Sequence, residues 1–187
     1  MTLWTMQPVS VYEEIKEHGV YRADAKKITT PEFLKAYDWL CDKLAEKCPR
    51  LCNVQYPVWA WYKFNGKHKK PDLRHSCYGV HGQEMAAMEV EVPDDQVLLS
   101  DFELWHSVLN KAYLAMTESE YSEFYETIAL RTNTENQMVK EKSWNNIFNI
   151  PDEPYEDDWI RYGAYVQAIF WELKAEYIKH VQFFTAR

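Results

Sequence analysis

The chain opens with a short alternation of apolar and polar residues over positions 3–7, stopped by Pro8, which predicts a strand running into a helix over 9–18 that ends at Gly19. Phe33, Leu34, Tyr37, Leu40, Cys41 and Leu44 then recur at helical spacing behind Thr30 as cap and Pro31 at the first helical position, predicting a second, core-facing helix. Period two returns over 58–64, and the Asn65-Gly66 pair behind it predicts a tight turn. Strands are expected over 85–92 and 97–99, separated by a Pro93-Asp94-Asp95 turn. Ser100 and Glu103 have the spacing of a capping box, opening a helix with Leu104, Trp105, Val108, Leu109 and Ala112 on one face. Thr117 and Glu120 repeat that spacing before Tyr121, Phe124, Tyr125 and Ile128, and a further helix spans about 135–148; these two read as an insertion or a lid. An acidic connection over 152–158 leads to a long apolar strand over 164–173 and a last strand over 179–185, with a turn of helix over 175–178 between them.

These elements describe a single α+β domain over residues 1–187, with helices flanking one sheet in which the first and last strands are neighbours. A chain of 187 residues with 47% hydrophobic residues fills one core well and is short for two. Eight Trp and thirteen Tyr against five Gly imply large packing units and few flexible loops, so only aromatics beside charge carry functional weight.

Charge narrows the classes of partner. A net charge of −8 argues against general affinity for nucleic acid, which demands a basic footprint. Yet Lys63, Lys67, Lys69, Lys70 and Arg74 crowd one segment together with His68 and His75. That segment follows five aromatic residues in YPVWAWYKF, and aromatic faces beside fixed cations suit a flat anionic ligand such as a nucleotide, or a single strand of nucleic acid. A solvated lysine turn is the plain alternative. Cys41, Cys48, Cys52 and Cys77 are spaced by seven, four and twenty-five positions, unlike the paired Cys-x-x-Cys pattern of zinc sites, and read as reduced thiols with no metal. Neither a leader nor a membrane-spanning run of roughly 18 apolar residues is visible, so a cytoplasmic protein is expected.

Several stretches, LWTMQ at the start, YPVWAWY with KKPDLR in the middle, VLLSDFELWHSVLN, and VQAIFWELKAEYIKHVQFFTAR at the end, resemble a bacterial family of domains of unknown function of about this length. The order of elements, with its final strand and closing Ile-x-x-Val, also looks like the ADP-ribosyltransferase superfamily, which consumes NAD. That resemblance implies a split, mostly antiparallel sheet around NAD as substrate. It implies a first-strand motif at Trp4, Thr5 and Gln7, and a last-strand group against the nicotinamide ribose at Gln167, with Glu172 as the nearby acid.

Gln167 can accept a hydrogen bond from a ribose hydroxyl but cannot act as a base or bring negative charge to an oxocarbenium-like centre. Strand alternation puts Gln167 with Ile169 and Trp171 on one face and Glu172 with Phe170 and Ala168 on the other, so a single pocket takes one of the two polar groups unless a bulge intervenes. Arg74 can offer a planar fork to a phosphate or to an internal carboxylate. Trp59 and Trp61 share a strand face, and Trp61, nearer the turn, is the better stacking platform. Asp101 supports a helix start and is a second candidate for ribose hydroxyls; His106 reads as structural or exposed. A shared cleft is expected to join Trp61, Arg74 and residues 67–70 to Trp4, Thr5 and Gln7. Three functions stay open: ADP-ribosyl transfer to a protein or nucleic-acid target, a non-catalytic nucleotide or RNA-binding module, and a protein-interaction regulator.

Overall fold

The computed structural model describes residues 1–24, 31–75 and 78–187 of the chain. The expected Thr30 cap and Cys77 fall outside these residues. Along the chain run β1 (Thr2–Pro8), α1 (Val9–His18), β2 (Val20–Tyr21), α2 (Leu34–Lys47), β3 (Val58–Lys63), β4 (Glu84–Glu91), β5 (Leu98–Asp101) and α3 (Phe102–Leu109). They are followed by α4 (Glu118–Thr127), α5 (Asn133–Ser143), β6 (Tyr155–Glu156), β7 (Arg161–Tyr162), β8 (Val166–Phe170), β9 (Leu173–Lys174) and β10 (Ile178–Thr185). Six strands form one sheet in the order β10-β4-β1-β3-β8-β5, and each of its pairings is antiparallel. Two small ribbons, β2-β9 and β6-β7, lie beside it. The architecture is α+β.

The expected adjacency of the first and last strands is corrected here. β1 and β10 share the sheet, but β4 separates them, pairing with both along its length. The physical reason is in β4 itself, whose Met85, Ala86, Ala87, Met88 and Val90 are all buried, as an interior strand with both faces covered requires.

Each face of the sheet carries its own apolar cluster. On one side α1 inserts Val11 and Ile15 against Leu3, Val58, Ala60, Met88, Ala168 and Phe170. The helix stops at Gly19, whose φ of 77° lies in the left-handed region and lets its N–H close on Ile15 O at 2.8 Å. On the other side α2 and α3 bring Leu40, Leu44, Trp105 and Val108 together with Trp59 and Ile169 of the sheet. Fully burying side chains of this size stabilises the fold by about 1.5–3 kcal/mol each.

Two expectations about helices change. Ser100 belongs to β5, and the cap of α3 is Asp101, whose carboxylate accepts from Leu104 N at 2.9 Å. The stretch over 135–148 becomes α5 followed by a tighter 3-10 turn, Trp144–Phe148, which is anchored in the core. Trp144 and Ile147 are wholly buried there, and the Trp144 indole donates to Ala112 O at 2.7 Å. This segment is a wall of the molecule rather than a lid. The long strand expected over 164–173 also divides: β8 ends at Phe170, and Leu173 pairs with Tyr21 in the β2-β9 ribbon.

Candidate ligand-binding cavity

On the α2/α3 face of the sheet, β1, β3 and β8 lie side by side, and their register aligns Trp4 with Trp61 and Trp61 with Gln167. Above them opens a cavity of about 790 Å³ whose floor includes Met6, Trp59, Trp61 and Gln167. That volume lies within the range of about 300–1,000 Å³ usual for small-molecule sites.

The walls are aromatic. Trp61 meets Phe64 edge-on at 5.5 Å and Phe102 of α3 at 5.3 Å between ring centroids, and Phe64 meets Tyr165 at 5.1 Å. Tyr155 and Tyr162, facing one another at 5.3 Å across the β6-β7 hairpin, add a rim on the opposite side. Edge-to-face packing of this kind holds rings rigid and leaves faces for stacking.

Local chemistry explains why the hairpin sits over the sheet. Asp157 accepts from Ile160 N at 2.7 Å, Trp159 N at 2.9 Å and the Tyr155 hydroxyl at 2.7 Å, which knots the turn and holds its carboxyl below the usual range. Lys63 at the end of β3 donates to Pro151 O at 2.9 Å and Asp152 O at 2.8 Å, strapping the hairpin's leading loop down. Asn65 and Gly66 have φ of 53° and 71°, the turn their sequence demands, and Gly66 N bonds Ala164 O at 2.8 Å. A Cβ on Gly66 would come within 2.8 Å of Pro154, so turn and hairpin touch closely.

Of the cavity's charged and titratable groups, His75 comes from the basic segment, whereas Arg161, Glu103 and Glu156 were not among the site candidates of the sequence. Arg161 on β7, Glu103 on α3, Glu156 on β6 and His75 all line it, and Arg161 lies 3.7 Å from Glu103. One signal for Arg161 was present: it is the lone Lys or Arg between Lys142 and Lys174, set in an acidic stretch.

Of the residues singled out by sequence, Trp61, Gln7 and Gln167 are brought together in this cavity. Trp4 is buried next to it with its indole N–H on Glu89 at 3.2 Å, and Thr5 is buried with its hydroxyl donating to Trp59 O at 2.7 Å. Gln7 Nε2 in turn donates to Thr5 Oγ1 at 2.8 Å. Thr5 thus ties β1 to β3, with Gln7 bonded to its hydroxyl, while Trp4 ties β1 to β4.

Asp101 is not at the cavity. It is fully buried and spans Leu104 N and Gly163 N, the latter at 2.6 Å, and burial pushes its carboxyl up. Glu172 also lies elsewhere, beyond the end of β8, where it accepts from Arg22 Nε at 2.6 Å. Arg74 is exposed and takes the internal carboxylate, with Nε 2.9 Å from Asp72 Oδ1. The basic turn folds toward the other end of β1: His68 sits 5.0 Å from the Trp4 ring with Nε2 2.8 Å from Thr2 O, and Lys70 donates to Gln182 at 2.6 Å. Neither Arg74 nor residues 67–70 line the cavity. His106 is exposed on α3, with Nδ1 2.9 Å from Phe102 O.

One atom in the floor stands out chemically. Gln167 Oε1 is buried and has no hydrogen-bond partner, and neither has Oγ of Ser100, the residue opposite it on β5. An unmet buried acceptor costs about 1–3 kcal/mol.

Among the described residues no group of His, Cys, Asp or Glu is arranged to hold a metal ion, and no helix is long and apolar enough to cross a membrane. Comparison with characterised proteins and with solved structures returns no match. A family model does match, over residues 2–179, and the chain belongs to that family, described as a domain of unknown function (DUF3841).

Proposed function

We propose that this protein binds a nucleotide-type ligand in the aromatic cavity, with the base stacked against Trp61 and the phosphate side toward Arg161 and His75. The observation that carries the reading is the company Gln167 keeps: an unpartnered carboxamide oxygen in a floor whose neighbouring strand supplies Trp61. Stacking accepts any flat ring, while one well-placed polar group fixes its orientation. Arg161 supplies the planar cationic fork that suits phosphate oxygens.

A second reading, ADP-ribosyl transfer from NAD, is favoured by the carboxylates of Glu103 and Glu156 on the same cavity. In that reaction the bond from the ribose C1′ to the nicotinamide nitrogen breaks, neutral nicotinamide leaves, and an acceptor nucleophile bonds to C1′ and gives up its proton. Gln167 cannot stabilise the cationic ribose by charge, so the negative charge falls to Glu103 or Glu156.

Titration of tryptophan fluorescence with NAD and with AMP is the test. Saturable quenching that Trp61→Ala weakens at least tenfold is expected, and an absence of response to both ligands would sink the reading. For transfer, labelled NAD should release nicotinamide at a rate cut on the order of 10²-fold or more by Glu103→Gln or Glu156→Gln and by Gln167→Ala. Glu172→Ala, at the Arg22 pair, should leave that rate unchanged.

A further inference from the structure

We propose that Gln167 is a specificity residue that selects ligand rings carrying an exocyclic N–H donor, the 6-amino group of adenine or the carboxamide of nicotinamide. The inference rests on the nucleotide reading of the cavity and names what that site discriminates.

β8 is an interior strand, paired with β3 on one side and β5 on the other, and Val166, Ala168, Ile169 and Phe170 are all buried. A polar residue at the second position of such a strand needs partners, because a buried acceptor without one forfeits its hydration and receives nothing back. None of the neighbours supplies it. Trp61, on the β3 side, meets Phe64 and Phe102 in T-shaped contacts, and its indole makes no hydrogen bond to the carboxamide oxygen. Ser100, on the β5 side, has an equally unpartnered hydroxyl oxygen, so the two side chains do not satisfy one another.

The arrangement therefore sets an aromatic ring beside an unmet acceptor at adjacent positions on one sheet face, and because Oε1 is itself covered, a ligand donor meets it when the Gln167 carboxamide turns toward the cavity that this residue lines. A carboxamide presents one acceptor and one donor side by side in a plane. Its natural complement is a flat ring edge with an N–H beside an acceptor, as in adenine, where glutamine pairs in this bidentate way. The carboxamide of nicotinamide offers the same two groups. A ring with no donor at that edge leaves Oε1 as unmet as before, and sites built to hydrogen-bond a substrate N–H reject analogues lacking it far more strongly than apolar pockets reject a missing methylene.

The test uses the intact chain and two matched ligand pairs: AMP against purine riboside 5′-monophosphate, which lacks the amine, and nicotinamide mononucleotide against nicotinic acid mononucleotide, whose carboxylate accepts only. Dissociation constants are read by calorimetry for the wild type, Gln167→Met and Gln167→Glu. At least a tenfold preference for the donor-bearing member is expected in one pair. That preference should collapse in Gln167→Met and survive in Gln167→Glu, which keeps an acceptor. Preference within the AMP pair assigns the floor to adenine; preference within the other assigns it to nicotinamide. Equal binding of both members in both pairs overturns the selection while leaving nucleotide binding intact. Failure of all four ligands to bind removes the nucleotide reading and this inference with it.

Discussion

Cys41 and Cys52 show how placement decides the chemistry of one side-chain type. Cys41 is buried on α2 with Sγ 3.8 Å from Gln55 O, and desolvation pushes its thiol up to about 12. Cys52 is exposed. Since the thiolate is the reactive form, alkylation at pH 8 followed by peptide mass spectrometry should label Cys52 and leave Cys41 untouched, at a rate roughly a thousandfold or more lower. Comparable labelling of both would mean that α2 opens readily. The burial of Cys41 was legible from its place between Leu40 and Leu44 at helical spacing, whereas the fate of Arg74 was not. Its planar fork fits phosphate and carboxylate equally well, and only the chain's path shows Asp72, two residues away, filling it. Being solvent-exposed, that pair is worth little to stability despite its ideal geometry.

At the scale of elements, the β6-β7 hairpin shows which signals a sequence hides. Two-residue strands have no periodicity to read, so the segment registered only as an acidic connection, although it supplies Tyr155, Glu156, Arg161 and Tyr162 to the cavity. By contrast, the Asn65-Gly66 turn and the helix over 9–18 were plain, because each rests on local backbone chemistry. The hairpin depends on Asp157. Its carboxyl is held below the ordinary 3.8, chiefly by the Ile160 N–H, then by the Tyr155 hydroxyl and the Trp159 N–H. A depressed folded-state value means that the stabilisation is present above 3.8 and is lost as pH falls through the lower folded value. The resonance of the Trp159 indole proton, which bonds Ala115 O at 3.2 Å, should therefore hold steady from neutral pH to about that value and shift only below it. Asp157→Ala should shift it at neutral pH and raise amide exchange at Trp159 and Ile160. Unchanged exchange in the variant would show that the hairpin is secured without Asp157, by Lys63 and the Trp159 indole.

For the molecule as a whole, two apolar clusters use the sheet as a common wall, with Ile169 in one and Phe170 in the other as successive residues of β8. Neither cluster can lose the sheet without exposing the other, so urea unfolding followed by far-UV and near-UV circular dichroism should give one coincident transition. Trp144→Ala, in the cluster that does not include α1, should lower the midpoint for both signals together, at a cost of about 3–5 kcal/mol. Separate transitions would indicate two independently stable halves. The class of fold could be read from the alternation of strand and helix patterns, but strand order could not. Pairing partners are chosen by burial on both faces at once, and β4 was not distinguishable as an interior strand until its neighbours were known. The same strand order sets the tempo of assembly. β1 is the earliest strand in the chain yet occupies the interior, with β4 on one edge and β3 on the other. During synthesis its β3 edge can pair once residues up to Lys63 have emerged, but its β4 edge stays unsatisfied until residues as late as Glu91 have left the ribosome, a long wait for a segment that carries Leu3 and Trp4. A loop of that length must close before the β4 edge is covered, so refolding is expected to be slower than that of a helical bundle of this size, and the nascent chain is most open to capture by chaperones in that interval.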